Sequence, residues 1–307
     1  MLHNSIRILN FDNTVACQSR ILSLLPHEII ELTDIGPALR LFANQRLRTR
    51  LGQRIQGSEP SAATFLGSGD FHHISELLIS AQPEVRSVLV FDFHPDWDIL
   101  PPHFGCGSWV SRLLRNKNIL KCVLIGVGSC DISSFALQSA DLAALKDDRL
   151  EIYAYRHGPS RVYCRKVPPN ISVRSVGGFF SKRLYWEQLF DMDLGVFISG
   201  IISRLPAGKV YISIDKDCLL KDSAVTNWEE GFLSLKQLLF MLEKLKRNLD
   251  ISGLDIAGDY SSVLISSRFK AMLSRLDHPA GKVLFPDALA RQINQETNLK
   301  ILQTLVL

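Results

Sequence analysis

Seven short runs rich in Val, Ile, Leu and Phe recur along the 307-residue chain, and they limit the possible folds more than any other feature. The runs are continuous rather than alternating, which is typical of strands covered on both faces in a parallel sheet. Longer segments with helical periodicity separate them. The predicted strands are residues 6–11, 63–67, 87–93, 121–127, 151–155, 209–214 and 251–256. The sequence therefore predicts an α/β protein with a mostly parallel central sheet.

The segments between the predicted strands contain helices and one long irregular stretch. Apolar spacing predicts helices at residues 74–81, 107–115, 233–249 and 261–276, and Ser234 is a suitable N-cap for the third. Residues 157–183 are basic, contain Pro168-Pro169 and Gly177-Gly178, and lack a clean periodicity, which predicts a long loop or lid. Single α/β domains of this size are ordinary, so we expect one domain over residues 1–307.

Composition excludes several classes of protein. Hydrophobic residues make up 46% and charged residues 21% of the chain, which excludes a disordered or low-complexity protein. The net charge of +4 is too small and too dispersed to predict a nucleic-acid partner. No apolar run is long enough for a membrane span, and no secretory signal is visible at the N-terminus. We therefore expect a cytoplasmic protein whose scattered cysteines are free thiols.

Polar side chains follow two of the predicted strands at the point where each strand ends. Asp92, His94 and Asp96 lie two residues apart at the end of the third run. Asp215 and Asp217 follow the sixth run with the same spacing of two residues. Side chains two apart on an extended chain point the same way, and ligands collect at the carboxyl ends of strands in an open α/β sheet. We therefore expect these two groups to converge.

A third segment brings a histidine to the same edge of the sheet. Strand 63–67 leads through a glycine-rich turn to His72 and His73; either can be a ligand, and we favour His73 because it directly precedes the predicted helix. Four carboxylates in one crevice repel one another unless cations neutralise them, and two divalent ions supply the matching charge. Oxygen and imidazole ligands without thiolates favour Mn²⁺, with Zn²⁺, Fe²⁺ or Co²⁺ as alternatives.

These motifs resemble those of the ureohydrolase superfamily, which contains arginase, agmatinase and formiminoglutamase. The segment DFHPD at residues 92–96 is similar to the family's DxHxD motif, and SIDKD at residues 213–217 is similar to its SxDxD motif. Residues 67–73 are similar to a variant of its GGDH motif. The resemblance covers residues 60–300. It implies a three-layer α/β/α sandwich of the arginase type with a dinuclear Mn²⁺ site.

The resemblance also implies how the ligands divide between two ions. Asp92 and Asp215 would bridge both ions. The histidine of the first motif and Asp96 would complete one site, and His94 and Asp217 would complete the other. A water that bridges two such ions has its pKa lowered towards neutrality, and it then attacks the substrate carbon as hydroxide.

One departure from the family pattern concerns the proton that the leaving amine needs. Where ureohydrolases often have a proton-shuttling histidine, this chain has Cys106, with His103 three residues upstream. Either of these side chains, or Asp217 beside the ions, is a candidate for the catalytic acid.

Other departures concern the substrate. Where the family has a glutamate that pairs with the substrate guanidinium, this chain has Gly258, followed by Asp259 as a substitute. Asp98 occupies a position that helps to hold the substrate carboxylate in relatives that bind amino acids. A negative group there repels a carboxylate, so a cationic substrate fits better.

These expectations combine into a manganese-dependent hydrolase that cleaves a linear C–N bond of a small, cationic guanidino or amidino compound. A zinc amidohydrolase resembling the histone and polyamine deacetylases is an alternative, although such enzymes hold one ion and lack the third acidic residue that Asp96 supplies. A non-catalytic metal-binding relative is the other alternative, which Cys106 and Gly258 leave open. We expect a small-molecule substrate, no nucleic-acid or membrane partner, and allow for a homo-oligomer.

Overall fold

Parallel strands form the centre of the protein, as the continuous apolar runs predict. A computed structural model describes residues 5–58, 61–102, 104–261, 270, 272 and 287–307. Its strands are β1 (Ile6–Asn10), β2 (His27–Glu31), β3 (Ala63–Gly67), β4 (Val85–Phe91), β5 (Lys121–Val127), β6 (Leu150–Ala154), β7 (Ser160–Tyr163), β8 (Val173–Gly177), β9 (Ser181–Trp186), β10 (Lys209–Asp215) and β11 (Ile251–Ala257). Eight of them form one sheet in the order β2-β1-β3-β11-β10-β4-β5-β6, and every neighbouring pair is parallel. The predicted α/β class is confirmed.

All seven predicted strands belong to this sheet. Strands β3 and β5 have the predicted bounds, whereas β4 begins at Val85 and ends at Phe91, two residues earlier than predicted. Strand β2 has no apolar run in the sequence because it lies at the sheet edge, where most of its residues are partly or fully exposed. Hydrophobic patterning therefore identifies the covered strands and misses the exposed edge.

Helices cover both faces of the sheet. They are α1 (Ser19–Leu24), α2 (Gly36–Leu39), α3 (Gln45–Ile55), α4 (Ser75–Ser80), α5 (Trp109–Leu113), α6 (Leu194–Arg204), α7 (Leu235–Asn248) and α8 (Asp287–Leu305). Ser234 caps α7 as predicted, and it forms a capping box with Gln237. The predicted helix at residues 107–115 is shorter and begins after a 3₁₀ turn, Cys106–Ser108. The helix predicted at residues 261–276 lies almost wholly outside the described residues.

Alternate residues of the central strands pack into two separate cores. Val88 and Val90 face a core that includes side chains of α3, α4 and α5. Leu89 and Phe91 face a second core that includes side chains of α6, α7 and α8. The fold is therefore the expected three-layer α/β/α sandwich. Within the described part of the chain, no helix combines the length and apolar character needed to cross a membrane.

Residues 157–183 are not the irregular lid that the sequence predicts. They contain β7, β8 and the first half of β9, and these three strands form an antiparallel sheet in the order β7-β9-β8. These strands have only one buried face, and in β8 only Val173 is buried. A few buried residues in short strands give too weak a periodicity to recognise in the sequence.

Candidate metal centre

The acidic side chains of two neighbouring strands meet at the carboxyl edge of the parallel sheet. Strand β10 pairs with β4, and the register sets Ile214 against Phe91. The next residues, Asp215 and Asp92, therefore begin the two polar segments side by side. All of the predicted ligand carboxylates in these segments are buried, as shown by the exposure of Asp92 (1%), Asp96 (6%), Asp215 (3%) and Asp217 (2%). The structure thus brings together the groups that the spacing predicts to converge.

His72 reaches the same point from β3. The chain turns after β3 into a 3₁₀ helix, Gly69–Ile74, whose first turn is capped by Ser68. The Nδ1 atom of His72 lies 3.0 Å from Asp92 Oδ2, 3.6 Å from Asp96 Oδ2 and 3.7 Å from Asp215 Oδ2. One imidazole nitrogen is therefore within reach of three carboxylates from two other segments.

His73 lies elsewhere, which corrects the preference for it as the ligand. Its ring is fully buried and packs edge-on against Phe104, with ring centroids 4.7 Å apart. Neither ring nitrogen has a hydrogen-bond partner among the described residues, and burial lowers the pKa of His73 to about 3. The reason is local geometry, because successive side chains of a 3₁₀ helix point about 120° apart. When His72 faces the carboxylates, His73 must face the core.

His94 approaches the carboxylates from the opposite side. Its Nδ1 atom lies 2.8 Å from Asp217 Oδ2 and 3.7 Å from Asp92 Oδ1. Two groups of side chains consequently have ligand atoms close enough to hold an ion: His72 with Asp92 and Asp96, and Asp92 with His94 and Asp217. Asp92 belongs to both groups. These groups contain five of the ligands in the division that the ureohydrolase resemblance implies, whereas Asp215, the second implied bridging residue, belongs to neither group.

Backbone and indole donors orient the carboxylates. One oxygen of Asp92 accepts a hydrogen bond from the His94 N–H at 2.7 Å, and one oxygen of Asp217 accepts from the Phe93 N–H at 3.1 Å. The Trp109 indole donates to Asp96 Oδ2 at 2.6 Å. Oδ2 of Asp92 has no hydrogen-bond partner among the described residues, although it is buried. An orphaned, buried carboxylate oxygen facing other acceptors is the arrangement expected at a cation site.

A hydrogen-bonded chain fixes the tautomer of His72. Ser213 donates its hydroxyl proton to Asp255 Oδ1 at 2.6 Å, so its oxygen accepts from His72 Nε2–H at 2.8 Å. Ser75 also donates to Asp255, at 3.0 Å. A lone pair is therefore left on Nδ1 of His72, facing Asp92. Support of this kind from a buried carboxylate is typical of histidines that bind metals.

The charges of the cluster are unbalanced without a cation. Burial and the neighbouring charge of Asp92 raise the pKa of Asp96 to about 7. Burial and the charge of Asp217 raise the pKa of Asp215 well above its usual value. Burial by itself disfavours the charged form of His72, yet the nearby carboxylates of Asp92, Asp96 and Asp215 raise its pKa well above the usual value. Without a cation, these side chains thus hold protons that a bound metal ion would replace.

We predict that the affinity for a divalent cation rises with pH. The proton on Asp96, whose pKa is about 7, must leave before that carboxylate binds an ion, and the same holds for a protonated His72. Below pH 7 the affinity should fall by about tenfold per pH unit for each proton released. Calorimetric titration with Mn²⁺ at a series of pH values measures this dependence. Equal affinities on the acidic and alkaline sides of pH 7 would contradict it.

A cavity of about 330 Å³ opens above the cluster. Asp98 and Cys106 line it, as the sequence predicts, and Ser139 donates a hydrogen bond to Asp98 at 3.0 Å. Asp131 and Glu229 also line it. Sequence reasoning missed both, because Asp131 follows β5 and Glu229 lies in a loop, and neither belongs to a spaced motif. His103, the other candidate for the catalytic acid, lies outside the described residues.

Asp259 does not line this cavity, which corrects its assignment as a substrate-binding residue. It is 1% exposed and accepts a hydrogen bond from the Lys216 ammonium at 2.8 Å. Gln18 donates to its other oxygen at 2.7 Å. The preceding Gly258 has a φ of 89°, and a Cβ atom there would lie 2.5 Å from Asp215 Oδ1. A longer side chain at position 258 is therefore incompatible with this position of Asp215.

Comparison of the sequence with known proteins gives limited information. No family model matches it. The chain is 27% identical over 197 residues to an uncharacterised protein of Thermotoga maritima, and this match covers 64% of the chain and 57% of the relative. The matching region thus spans somewhat more than half the length of that relative.

Comparison of the structures is more informative. The arginase of Bacillus subtilis is 13% identical with a TM-score of 0.57, over 99% of each chain. Proclavaminate amidino hydrolase of Streptomyces clavuligerus is 12% identical with a TM-score of 0.52, over 97% of this chain and 92% of the other. Formimidoylglutamase of Bacillus subtilis is 13% identical with a TM-score of 0.51, over 97% and 86%. The expected resemblance to the ureohydrolases is confirmed in the fold.

Proposed function

We propose that the protein hydrolyses a C–N bond in a small cationic compound of the guanidino or amidino type, and that it does so with two Mn²⁺ ions. The observation that carries this proposal is the position of Asp92, which contributes to two adjacent groups of possible ligands. The fold that the chain shares with arginase and with two amidine-cleaving or formimidoyl-cleaving enzymes supports the same chemistry.

The donor set fits two divalent ions. His72, Asp96 and Asp92 would hold one ion, while His94, Asp217 and the same Asp92 would hold the other. Asp215, whose Oδ2 lies 3.7 Å from His72 Nδ1, is a further candidate ligand. Carboxylate and imidazole ligands without thiolate favour Mn²⁺. Bound there, the ions would supply Lewis-acid polarisation and would activate water near neutral pH.

The cavity wall favours a cationic substrate. Beyond the ligand groups it presents three further carboxylates, those of Asp98, Asp131 and Glu229, and no lysine or arginine of the described residues lines it. Glu229 Oε2 is 3.6 Å from His94 Nε2, so this side chain lies at the entrance to the cluster. A guanidinium or amidinium group placed among these acids gains electrostatic stabilisation, whereas a carboxylate is repelled. The ring of Trp228, another lining residue, can stack on such a planar cation.

The departing amine needs a proton after water has added to the trigonal carbon. The proton can pass through the Asp217 carboxylate, which belongs to the ligand group of Asp92 and His94. The thiol of Cys106 at the cavity wall is a second candidate, and we retain His103 as the third candidate. Asp92, Asp96 and Asp217 keep their fixed orientation throughout, because backbone and indole donors hold them.

If Cys106 supplies this proton, its replacement by serine should lower kcat by about a hundredfold without loss of metal. A hydroxyl group is a much weaker acid than a thiol, while the side-chain volume changes little. Steady-state kinetics with elemental analysis of the same sample makes the measurement. Cys130→Ser is the matched control, because Cys130 also lines the cavity but is exposed, whereas Cys106 is half-buried. An unchanged kcat in Cys106→Ser would assign Cys106 to packing.

The proposed function is tested by metal analysis followed by a substrate panel. We expect two ions per chain, and release of urea or ammonia from at least one member of a panel of agmatine, guanidinobutyrate, arginine and formamidine compounds. Acetylated polyamines are the control substrates for zinc amidohydrolase chemistry. One zinc ion per chain with deacetylation would refute the proposal, as would full loading without turnover of any compound.

A further inference from the structure

One segment of the chain has a strong local excess of positive charge. Residues 156–186 contain seven lysines and arginines and no acidic residue. The whole chain has a formal net charge of only +4, so the remainder is net negative. The expectation of no nucleic-acid partner rests on the small and dispersed charge of the whole chain, which does not reflect this local excess. The basic segment is the one that folds into the separate antiparallel sheet of β7, β8 and β9.

One face of this small sheet is directed to solvent. In β7, Ser160 and Val162 are buried, whereas Arg161 and Tyr163 are exposed. The strand register continues this outward face across β9 and β8, although in β8 the residues of the opposite face after Val173 are exposed as well. We call the outward face the arginine face, and it comprises Arg161, Tyr163, Arg174, Val176, Arg183 and Tyr185. On this surface, guanidinium groups and aromatic rings are neighbours.

Two arginines of this face are directly opposed. Arg161 of β7 and Arg183 of β9 are register partners. Neighbouring strands of a sheet lie only about 5 Å apart, so like charges in directly opposite positions are destabilising. No carboxylate of the described residues lies within ion-pair distance of Arg161, Arg174 or Arg183. An anionic ligand between these side chains would remove the repulsion.

The aromatic side chains of the face form a platform with the arginines. The Arg174 guanidinium lies 4.6 Å from the centre of the Tyr185 ring, and Arg183 donates a hydrogen bond to the Tyr185 hydroxyl at 3.4 Å. Tyr163 is 47% exposed. At the tip of the β8–β9 hairpin, Phe179 and Phe180 are 56% and 79% exposed. The rings next to the arginines offer planar surfaces on which flat ligand groups can stack.

We infer that the arginine face binds single-stranded nucleic acid, with phosphates between the arginines and bases stacked on the tyrosines. Alternating positive charge and aromatic rings on an open sheet face fit this ligand, because each nucleotide carries both an anion and a planar group. A lipid surface would engage the exposed Phe179 and Phe180 at the hairpin tip, but it would leave the arginine and tyrosine neighbours on the sheet face without a role. An acidic protein segment would pair with the arginines but would leave the aromatic rings without a stacking partner.

The test is fluorescence anisotropy with the intact protein and a labelled oligouridine RNA of about 12 nucleotides, which matches the usual size of such sites. Three phosphate contacts predict a slope of about −2 for log K against log salt concentration. The double variant Arg161→Gln, Arg183→Gln should reduce the association constant about 25-fold at about 0.1 M salt and the slope to about −0.7. Tyr163→Ala should reduce the association constant about fivefold or more through lost stacking.

Controls separate this site from general charge effects and from other ligands. Arg115→Gln removes an exposed arginine from another surface and should change neither the association constant nor the slope. Oligothymidine in place of RNA distinguishes the two nucleic acids, and binding of either supports the inference. Absence of binding at low salt, equal binding by the Arg161→Gln, Arg183→Gln variant, or retention on phosphatidylglycerol vesicles that RNA does not displace would each overturn it.

Discussion

Asp92→Asn should lose at least nine-tenths of the metal content of the parent protein. Asp92 is the residue that both groups of possible ligands share, and its Oδ2 atom is buried without a hydrogen-bond partner among the described residues. Asparagine has nearly the same volume and keeps an acceptor for the His94 N–H, so the substitution removes mainly the charge. Elemental analysis after gel filtration in metal-free buffer measures the retained ions. Hydrolysis of any substrate identified by the panel should fall in parallel.

Two further variants make this experiment specific. Asp96 belongs to one group of ligands, so Asp96→Asn should retain the ion held by His94, Asp92 and Asp217. Asp131 lines the cavity without belonging to either group, and Asp131→Asn should retain both ions. If Asp92→Asn keeps two ions, Asp92 is not a shared ligand and the proposed dinuclear centre is wrong.

Asp259→Asn should destabilise the protein by about 3–5 kcal/mol. Asp259 and Lys216 form a buried ion pair at 2.8 Å, and their side chains are 2% and 0% exposed. The neutral amide would leave the Lys216 ammonium buried without an opposite charge. Urea denaturation of the metal-free protein at neutral pH gives the free energy of unfolding. Glu243→Gln is the matched control: it removes a carboxylate from the exposed Arg247–Glu243 pair, where the expected loss is below about 1 kcal/mol.

The same variant tests the correction of Asp259 from a substrate-binding to a structural residue. The double variant Lys216→Met, Asp259→Asn removes both charges and should recover most of the lost stability. If Asp259→Asn has the same midpoint of urea unfolding as the parent protein but raises KM for a cationic substrate, Asp259 contacts the substrate. The buried position of Asp259 and its hydrogen bond from Gln18 favour the structural role.

Much of the parallel sheet can be read from the sequence because its strands are covered on both faces. Continuous apolar runs such as β5 are the direct consequence of that burial. The convergence of Asp92 with Asp215 can be anticipated for a related reason: parallel strands end at one edge of a sheet, and residues two apart on an extended chain point the same way. Apolar periodicity and the spacing of motif residues therefore predict features that depend on neighbours in the sequence.

The same patterns do not predict the antiparallel sheet of β7, β8 and β9. Its strands are short and buried on one face only, so few apolar positions mark them, and the segment has the composition of a loop. The arginine face depends on cross-strand register, which sets Arg161 opposite Arg183. Register between distant segments is a property of the assembled sheet, and the order of residues along the chain does not display it.

The chain alone was sufficient to predict an α/β protein with a parallel sheet and a set of acidic and histidine side chains directed to one edge of that sheet, because both follow from short-range periodicity and spacing. The folded protein was needed to choose His72 over His73 and to pair Asp259 with Lys216. It also brought Asp131 and Glu229 to the cavity from segments without a motif. Each of these choices depends on which side chains from remote segments become neighbours, and burial, charge and packing among those neighbours decide the outcome.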